Sequence, residues 1–465
     1  MQNHSVDRRG FLKIAGASTL AVSLGCSSPE PQAAKKPNVV IVIGDDLAWH
    51  DIGCYGATQV STPNIDRLAA EGMRFERAFT ATAMCAPMRQ QMYTGIFPVR
   101  NGAYPNHSES KPGTKSMPHF FEPMGYRVAL SGKKHFGPLD NYPFEFLDEG
   151  KDISYEAIDK FVMRDPEQPY FLVVCSNEPH LPWNRGDASK FDPASFQLPP
   201  YLVDTPETRK VMADYYAEVE YLDDQTGHVI EAVEKTGQAD NTIFIFCSEQ
   251  GVQFPHGKWT CYDLGLRQGW VVRWPARVKA GSVSNAMVQG VDALPTLIEA
   301  AGGDPSAHDF DGSSYLGVLV GETDEHAESV YGVHTTRGII KGSRCYPVRS
   351  IRDEQHKLIW NTNYTTKFQN TLTETDAPGY WTTWVEKAKT DTHAADRVRW
   401  YLERPEFEFY DVIADPYELD NLAGQPEHAE KIAAMKTKLD AWMAQQGDTG
   451  NETELAVKPH RTGVV

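Results

Sequence analysis

Cysteine is scarce in this chain of 465 residues: seven in all, too few and too scattered for a disulfide framework. Basic residues are also short, 45 Lys and Arg against 63 Asp and Glu, giving a formal net charge of −18. A nucleic-acid binder needs a net basic face, so this balance argues against nucleic acid as a partner. An anionic small substrate stays open, because local charge at a site can oppose the total. No apolar run approaches the ~20 residues of a membrane-spanning helix, and no internal repeat or long low-complexity stretch is visible. What is present is an ordinary globular composition, 41% hydrophobic with 20 Phe, 20 Tyr and 10 Trp, which demands a core and excludes a wholly disordered chain. The length suits one large α/β domain with an appendage.

The first 26 residues read as an address rather than as fold. Arg8-Arg9, Phe11-Leu12-Lys13 and the mildly apolar run Ile14 to Leu24 resemble a twin-arginine export signal. Ser23-Leu24-Gly25-Cys26 resembles a lipoprotein cleavage box that would acylate Cys26; the alternative is a plain cleaved signal in which that thiol has no role. The expectation is an exported protein, periplasmic or held at the outer membrane by that lipid alone. Residues 27–36, rich in Pro, Ala and Lys, read as a tether. The twin-arginine route carries folded protein, so a metal or covalent modification would be installed before export.

From Pro37 onward, short apolar runs alternate with amphipathic segments, the pattern of a βαβ parallel sheet. Strands are expected at 39–43, 126–130, 171–174 and 242–246, each almost wholly apolar, as when helices cover both sheet faces. Helices are expected at 63–70, with Thr62 as N-cap and Gly72 past the end, at 206–234, at 292–301 and at 426–443. Beyond about Gly338 the texture turns to hairpin-like runs such as 346–360. The reading is a catalytic α/β domain over 37–336 and a smaller α+β domain with an antiparallel sheet over 337–465.

Unusual polar residues fall just after the expected strands: Asp45 and Asp46 after the first, Lys133 and His135 after the second, His180 after the third, Glu249 and Gln250 after the fourth. Ligands of open parallel sheets bind outside the carboxyl ends of the strands, so the four ends would deliver these groups to one edge. Three carboxylates and an amide are hard oxygen donors, which suit Ca²⁺, and Mg²⁺ less well, rather than Zn²⁺ or copper. In Met84-Cys85-Ala86-Pro87-Met88-Arg89, Pro87 marks an early helical position, so Cys85 would sit at a helix N-terminus, where the dipole favours an anion and a thiolate would be a nucleophile in its own right. The bland alternative is a buried inert Cys.

Cys85-x-Pro87-x-Arg89 followed by Thr94-Gly95 resembles the signature of the sulfatase family, in which the Cys is oxidised to Cα-formylglycine. Gly132-Lys133-Lys134-His135, Glu178-Pro179-His180, Gly257-Lys258, Val291-Asp292-Ala293-Leu294-Pro295 and Phe409-Tyr410-Asp411 are similar to the family's other blocks, in one consistent order from Lys36 to Leu422. Gly132 to Pro138, and Asn101 to Tyr104 with His107, most resemble the sulfamidase (N-sulfoglucosamine sulfohydrolase) branch. The resemblance implies an alkaline-phosphatase-like fold and hydrolysis of sulfate esters, or of N-sulfate, from carbohydrates.

It also implies roles. Formylglycine at 85 would be the hydrated nucleophile, and Ca²⁺ would be held by Asp45, Asp46, Glu249 and Gln250 together with residue 85. Arg89, Lys133 and Lys258 would stabilise charge, His180 would be the general acid with a pKa tuned towards the working pH, and His135 would take the proton that expels sulfate. A maturation enzyme is an implied partner. Sugar contacts are expected from His107, His256, Trp259 and Arg337, and from the aromatic Tyr380, Trp381 and Trp384. Two departures stand out: Glu249-Gln250 where the family usually has Asp-Asn or Asp-His, and Met88 where many members have a small residue. Two further readings remain open at this point, a phosphomonoester or phosphonate-ester hydrolase on the same scaffold and an inactive glycan-binding protein.

Overall fold

The computed structural model describes residues 35–457; Arg8-Arg9, Cys26 and most of the expected tether lie outside them. Residues 36–457 gather into one compact unit. A nine-stranded sheet uses β1 (Asn38–Gly44), β2 (Met73–Phe79), β3 (Arg127–Gly132), β4 (Glu145–Phe146), β5 (Tyr170–Cys175), β6 (Thr242–Ser248), β7 (Arg267–Gln268), β8 (Trp270–Arg273) and β9 (Ser282–Gln289). Its order is β4-β3-β5-β1-β6-β8-β2-β7, with β9 on β2. The run from β4 to β6 is parallel, and β8 pairs antiparallel with both β6 and β2.

The central strands are apolar throughout because both of their faces are covered. Val40, Val42, Leu172 and Phe244 enter one core cluster, while Val39, Ile41, Ile43, Val173 and Ile245 enter another. Helix α1 (Pro63–Glu71) and the long α4 (Pro206–Lys235) cover the first face; α2 (Cys85–Thr94) and α5 (Ala293–Ala300) supply Met88, Met92, Leu294 and Leu297 to the second. Helix α3 (Tyr155–Met163) adds Ile158 and Phe161 to the first. Thr62 stands at the N-cap of α1 but does not cap it. Its hydroxyl accepts from the Gly53 N–H and donates to Asp66 Oδ1, and the open N–H groups of Asn64 and Ile65 go instead to Asp223 of α4 (3.1 and 2.9 Å).

A second, four-stranded antiparallel sheet runs β10 (Val330–His334), β11 (Val348–Arg352), β12 (His356–Asn361), β13 (Phe407–Asp411). Helix α6 (Ala429–Gln446) packs Leu439, Trp442 and Met443 against Ile351, Leu358 and Phe409. Its first strand lies upstream of the boundary expected at 336/337, and the Val333 N–H donates to Ala81 O at 2.7 Å, tying this sheet to the loop that leads into α2. The six described cysteines are free, Cys175 and Cys247 among them at buried strand ends.

Candidate active site

Strand register builds the site. Gly44 is level with Ser248, while Ile43 and Gly132 are both level with Cys175, so β1, β6, β5 and β3 end on one edge. The ends are stitched together by backbone bonds: Asp45 N–H to Glu178 O (2.9 Å), Glu249 N–H to Gly44 O (2.7 Å) and Lys133 N–H to Cys175 O (3.0 Å). Gly251 is required here, because a Cβ would lie 1.7 Å from Leu264 O. Four residues of this region hold positive φ without being Gly: Asp46 (62°), His107 (57°), His135 (48°) and Trp259 (68°). Strain of this kind is kept where side chains must be aimed.

Asp45, Asp46, Glu249 and Gln250 are fully buried, and Cys85 opens α2 beside them. Ligand atoms of Asp45, Asp46, Cys85 and Glu249 all lie within 4.8 Å of one another. Gln250 Nε2 donates to Asp46 Oδ1 (2.6 Å), while Gln250 Oε1 is buried without a partner. A cation suits this set, since three hard carboxylates converge and an amide oxygen is left unsatisfied. Around them stand three buried cations. Arg89 donates through Nε to Glu249 Oε1 (2.6 Å) and through a terminal nitrogen to Lys133 O (3.1 Å), Lys133 pairs with Asp45, and Lys258 donates to Asp46 Oδ2 (2.5 Å).

The electrostatics correct two expectations. Burial, with Asp45 and Glu249 close by, pushes the Cys85 thiol well above its usual range, and Sγ donates to Asp45 Oδ1 (3.5 Å). The helix N-terminus does not outweigh those carboxylates, so residue 85 as cysteine is a thiol and not a thiolate. Burial and the Lys258 and Lys133 ammonium groups hold His180 down to about 4, so its imidazole is neutral rather than poised near neutrality. Its Nδ1–H donates to Leu181 O (2.6 Å), and Nε2 lies 3.7 Å from Asp46 Oδ2. His135 is likewise held well below its usual value by burial, Lys133 and His107; its Nε2 is 2.8 Å from His107 Nδ1, and its Nδ1 is buried without a partner.

A cleft of ≈ 590 Å³ opens over this cluster, lined by Cys85, His107, His135, His180, Lys258 and Trp259 among others. Five expected sugar contacts stand elsewhere. His256 is buried and stacked on Trp400 (3.8 Å between centroids) and Tyr262 (4.5 Å). Arg337 donates to Val457 O and does not line the cleft. Tyr380, Trp381 and Trp384 pack into the core, because aromatic faces that could stack on sugar bury each other instead. Met88 points into the core as well, so the site does not register its size. Sequence reasoning missed Asn106, Trp183, Asp214, Gln253 and Ile339, which line the cleft from loops and from the third turn of α4, where no motif marks them.

The sulfatase family profile matches residues 37–303, and that of the N-sulphoglucosamine sulphohydrolase C-terminal region matches residues 254–379. The chain belongs to the sulfatase family. By that membership the protein is a sulfuric ester hydrolase. It is 33% identical to an ulvan-active sulfatase of Formosa agariphila over 91% of this chain and 83% of that one. It is 27% identical to human N-sulphoglucosamine sulphohydrolase, over 89% and 91%. A solved structure described as a complex with its substrate D-glucosamine-2-N,6-O-disulfate shares the sulfatase fold, with a TM-score of 0.68 at 21% identity over 90% of this chain and 99% of that one. A phosphonate monoester hydrolase of Agrobacterium radiobacter does so equally (0.68 at 18%, over 88% and 96%), so the scaffold alone does not choose between sulfur and phosphorus.

Proposed function

We propose that this sulfatase removes sulfate from carbohydrates, oligosaccharides derived from sulfated polysaccharides, using formylglycine made from Cys85 and a Ca²⁺ held by Asp45, Asp46, Glu249 and Gln250. The observation that carries the reading is the meeting of Cys85, three buried carboxylates and three buried cations at the inner end of one cleft. Bound Ca²⁺ and hydrated formylglycine would supply a polarised sulfate oxygen and a hydroxyl nucleophile in place of the thiol.

The rest falls to the chain's own side chains. Lys133 and Lys258 neutralise charge on the sulfuryl oxygens, in a site dry enough for each ammonium to count. Arg89, locked on Glu249 and Lys133 O, fixes the carboxylate that the metal needs. A bound sulfate ester brings negative charge beside His180 and raises its pKa; Nε2 then carries a proton to the leaving oxygen or nitrogen, while Nδ1–H stays on Leu181 O. His135, donating through Nε2–H to His107, keeps Nδ1 as the base that takes a proton as sulfate departs. The carbohydrate substrate is supported by the named activities of the ulvan-active and sulphoglucosamine relatives. The proposal includes export by the twin-arginine route and a lipid on Cys26, which N-terminal mass spectrometry of protein from its host's envelope tests.

Function is tested on full-length protein made with a formylglycine-generating enzyme. The expected results are an aldehyde or its hydrate in the tryptic peptide spanning residue 85, and sulfate release from a panel of sulfated oligosaccharides. An intact thiol, with the maturation enzyme working on a control, overturns the mechanism; a matured enzyme that cleaves phosphonate esters in preference overturns the substrate class.

A further inference from the structure

The lining of the cleft includes groups that sulfate removal does not use. Asp214, in the third turn of α4, lines the cleft half-buried and makes no hydrogen bond or ion pair among the described residues. Burial raises its carboxyl, offset in part by exposed Lys210 on the same helix. Two more lining groups are buried with a polar atom unmatched, Trp259 Nε1 as a donor and Asn106 Oδ1 as an acceptor. Leu181, Pro182, Trp183, Ile339 and Pro378 complete the surroundings with carbon. Among the described lining residues Lys258 is the one Lys or Arg, and it is already on Asp46 at the inner end.

This distribution is selective. A carboxylate accepts hydrogen bonds and donates none. A second sulfate or a uronate placed beside Asp214 would instead meet its carboxylate with no lining Lys or Arg but Lys258 to answer it, and like charges so placed repel. We propose that Asp214 is a specificity-determining residue that takes a hydroxyl or ammonium of the substrate, so that the sugar held in this cleft carries one anionic group, the sulfate to be removed. The inference rests on the sulfatase reading above and adds the charge class of the sugar.

The test is calorimetric titration of full-length Ca²⁺-loaded protein with Cys85 left unmodified, so that nothing turns over. The probes are glucosamine 6-sulfate, N-acetylglucosamine 6-sulfate and N-sulfoglucosamine 6-sulfate, which differ in charge at one position. Wild type should bind the two monosulfated sugars about tenfold more tightly than the disulfate, and Asp214→Asn should shrink that ratio by about fivefold. Asp214→Ser is the second variant, with melting temperatures recorded for both, and the wild-type ratio stands as a test even if neither folds. Equal or tighter binding of the disulfate, a ratio that Asp214→Asn leaves intact, or no binding of any probe overturns the inference. Sulfate release by matured wild type on the same sugars separates the two readings. The expected binding order with no release overturns the function and leaves the charge preference; release from the disulfate as fast as from the monosulfates does the reverse.

Discussion

Two buried charge clusters in this protein are made from the same kinds of side chain, and only one of them lies under the cleft. Asp45, Asp46 and Glu249 with Arg89, Lys133 and Lys258 close the inner end of the cleft; Asp263, just ahead of β7, and Glu418, in the loop after β13, meet Arg352 of β11 and Lys357 of β12. In each, one carboxyl is held low against its burial, Asp45 chiefly by Lys133 and Asp263 by Arg352 and Lys357, while burial pushes a second, Glu249 or Glu418, upward. The difference is arrangement. Around Asp263 the signs interleave: Oδ2 takes Arg352 Nε (3.0 Å), Oδ1 takes Lys357 Nζ (2.7 Å), and Glu418 Oε2 takes the Asp263 N–H (2.5 Å). At the cleft, carboxylates face one another across Gln250, whose Nε2 spans Asp46 Oδ1 and Glu249 Oε2 (3.2 Å). Both clusters pair each carboxylate with a cation; what sets the cleft apart is that three carboxylates converge within the reach of one ion and leave an amide oxygen unmatched beside them.

The largest expected effect follows from removing the nucleophile. Cys85→Ala should lower kcat/KM for a sulfated substrate by more than about 10⁴-fold, with a melting temperature within about 4 °C of wild type. Activity that survives would remove residue 85, and the inner cluster with it, from the chemistry. The converse break is Asp263→Asn, which leaves Lys357 and Arg352 without their shared carboxylate and should cost about 3–5 kcal/mol in denaturant unfolding. Its kcat/KM per folded molecule should stay within about twofold of wild type. A variant that loses turnover and keeps its stability would mean that the two clusters are not separate in role.

Where the sequence speaks and where it is silent follows from the same physics. The central strands were legible because burial on both faces leaves runs such as Val39 to Ile43 with nothing polar in them. Strand β2 was not, because its alternation lasts only from Met73 to Glu76 and then breaks, where the register with β9 shifts between Phe75 and Arg77. The inner site was legible because parallel strand ends deliver their next residues to one edge in chain order. The rest of the cleft lining was not: Asp214 comes from the third turn of a thirty-residue helix, and Ile339 and Asn106 come from loops. His256 and Tyr380 look like sugar contacts in sequence, since composition does not distinguish an aromatic that stacks on a ligand from one that stacks on Trp400 or Phe254.

Metal separates the clusters more finely. Chelator-stripped wild type should gain about 2.7 kcal/mol of unfolding free energy when Ca²⁺ reaches about 100 times its Kd. Asp46→Asn should lose most of that gain, and Asp263→Asn should keep it on a lower baseline. A gain that Asp46→Asn retains would mean that the ion binds outside the gathered carboxylates.

The smallest effect concerns a carboxyl that has neither arrangement. Glu218 of α4 is buried, its Oε1 accepts the N–H groups of Asn184 and Arg185 (2.5 and 2.9 Å), and its Oε2 has no partner. Burial raises its pKa to about 7 despite those two bonds. The folded pKa is thus above the unfolded one, so between the ordinary carboxyl range and about pH 7 the folded state binds more protons than the unfolded state. Stability from this group is therefore present at low pH and is lost as pH rises through that window, by on the order of 1–2 kcal/mol once residual solvation is allowed for. Glu218→Gln keeps the accepting oxygen and removes the titration, so its unfolding free energy relative to wild type should rise between pH 5 and 8 by about that amount. A difference that stays flat over that range would mean that the two backbone N–H groups alone satisfy the ionised carboxylate, and that a buried acid here needs neither an interleaved cation nor a metal.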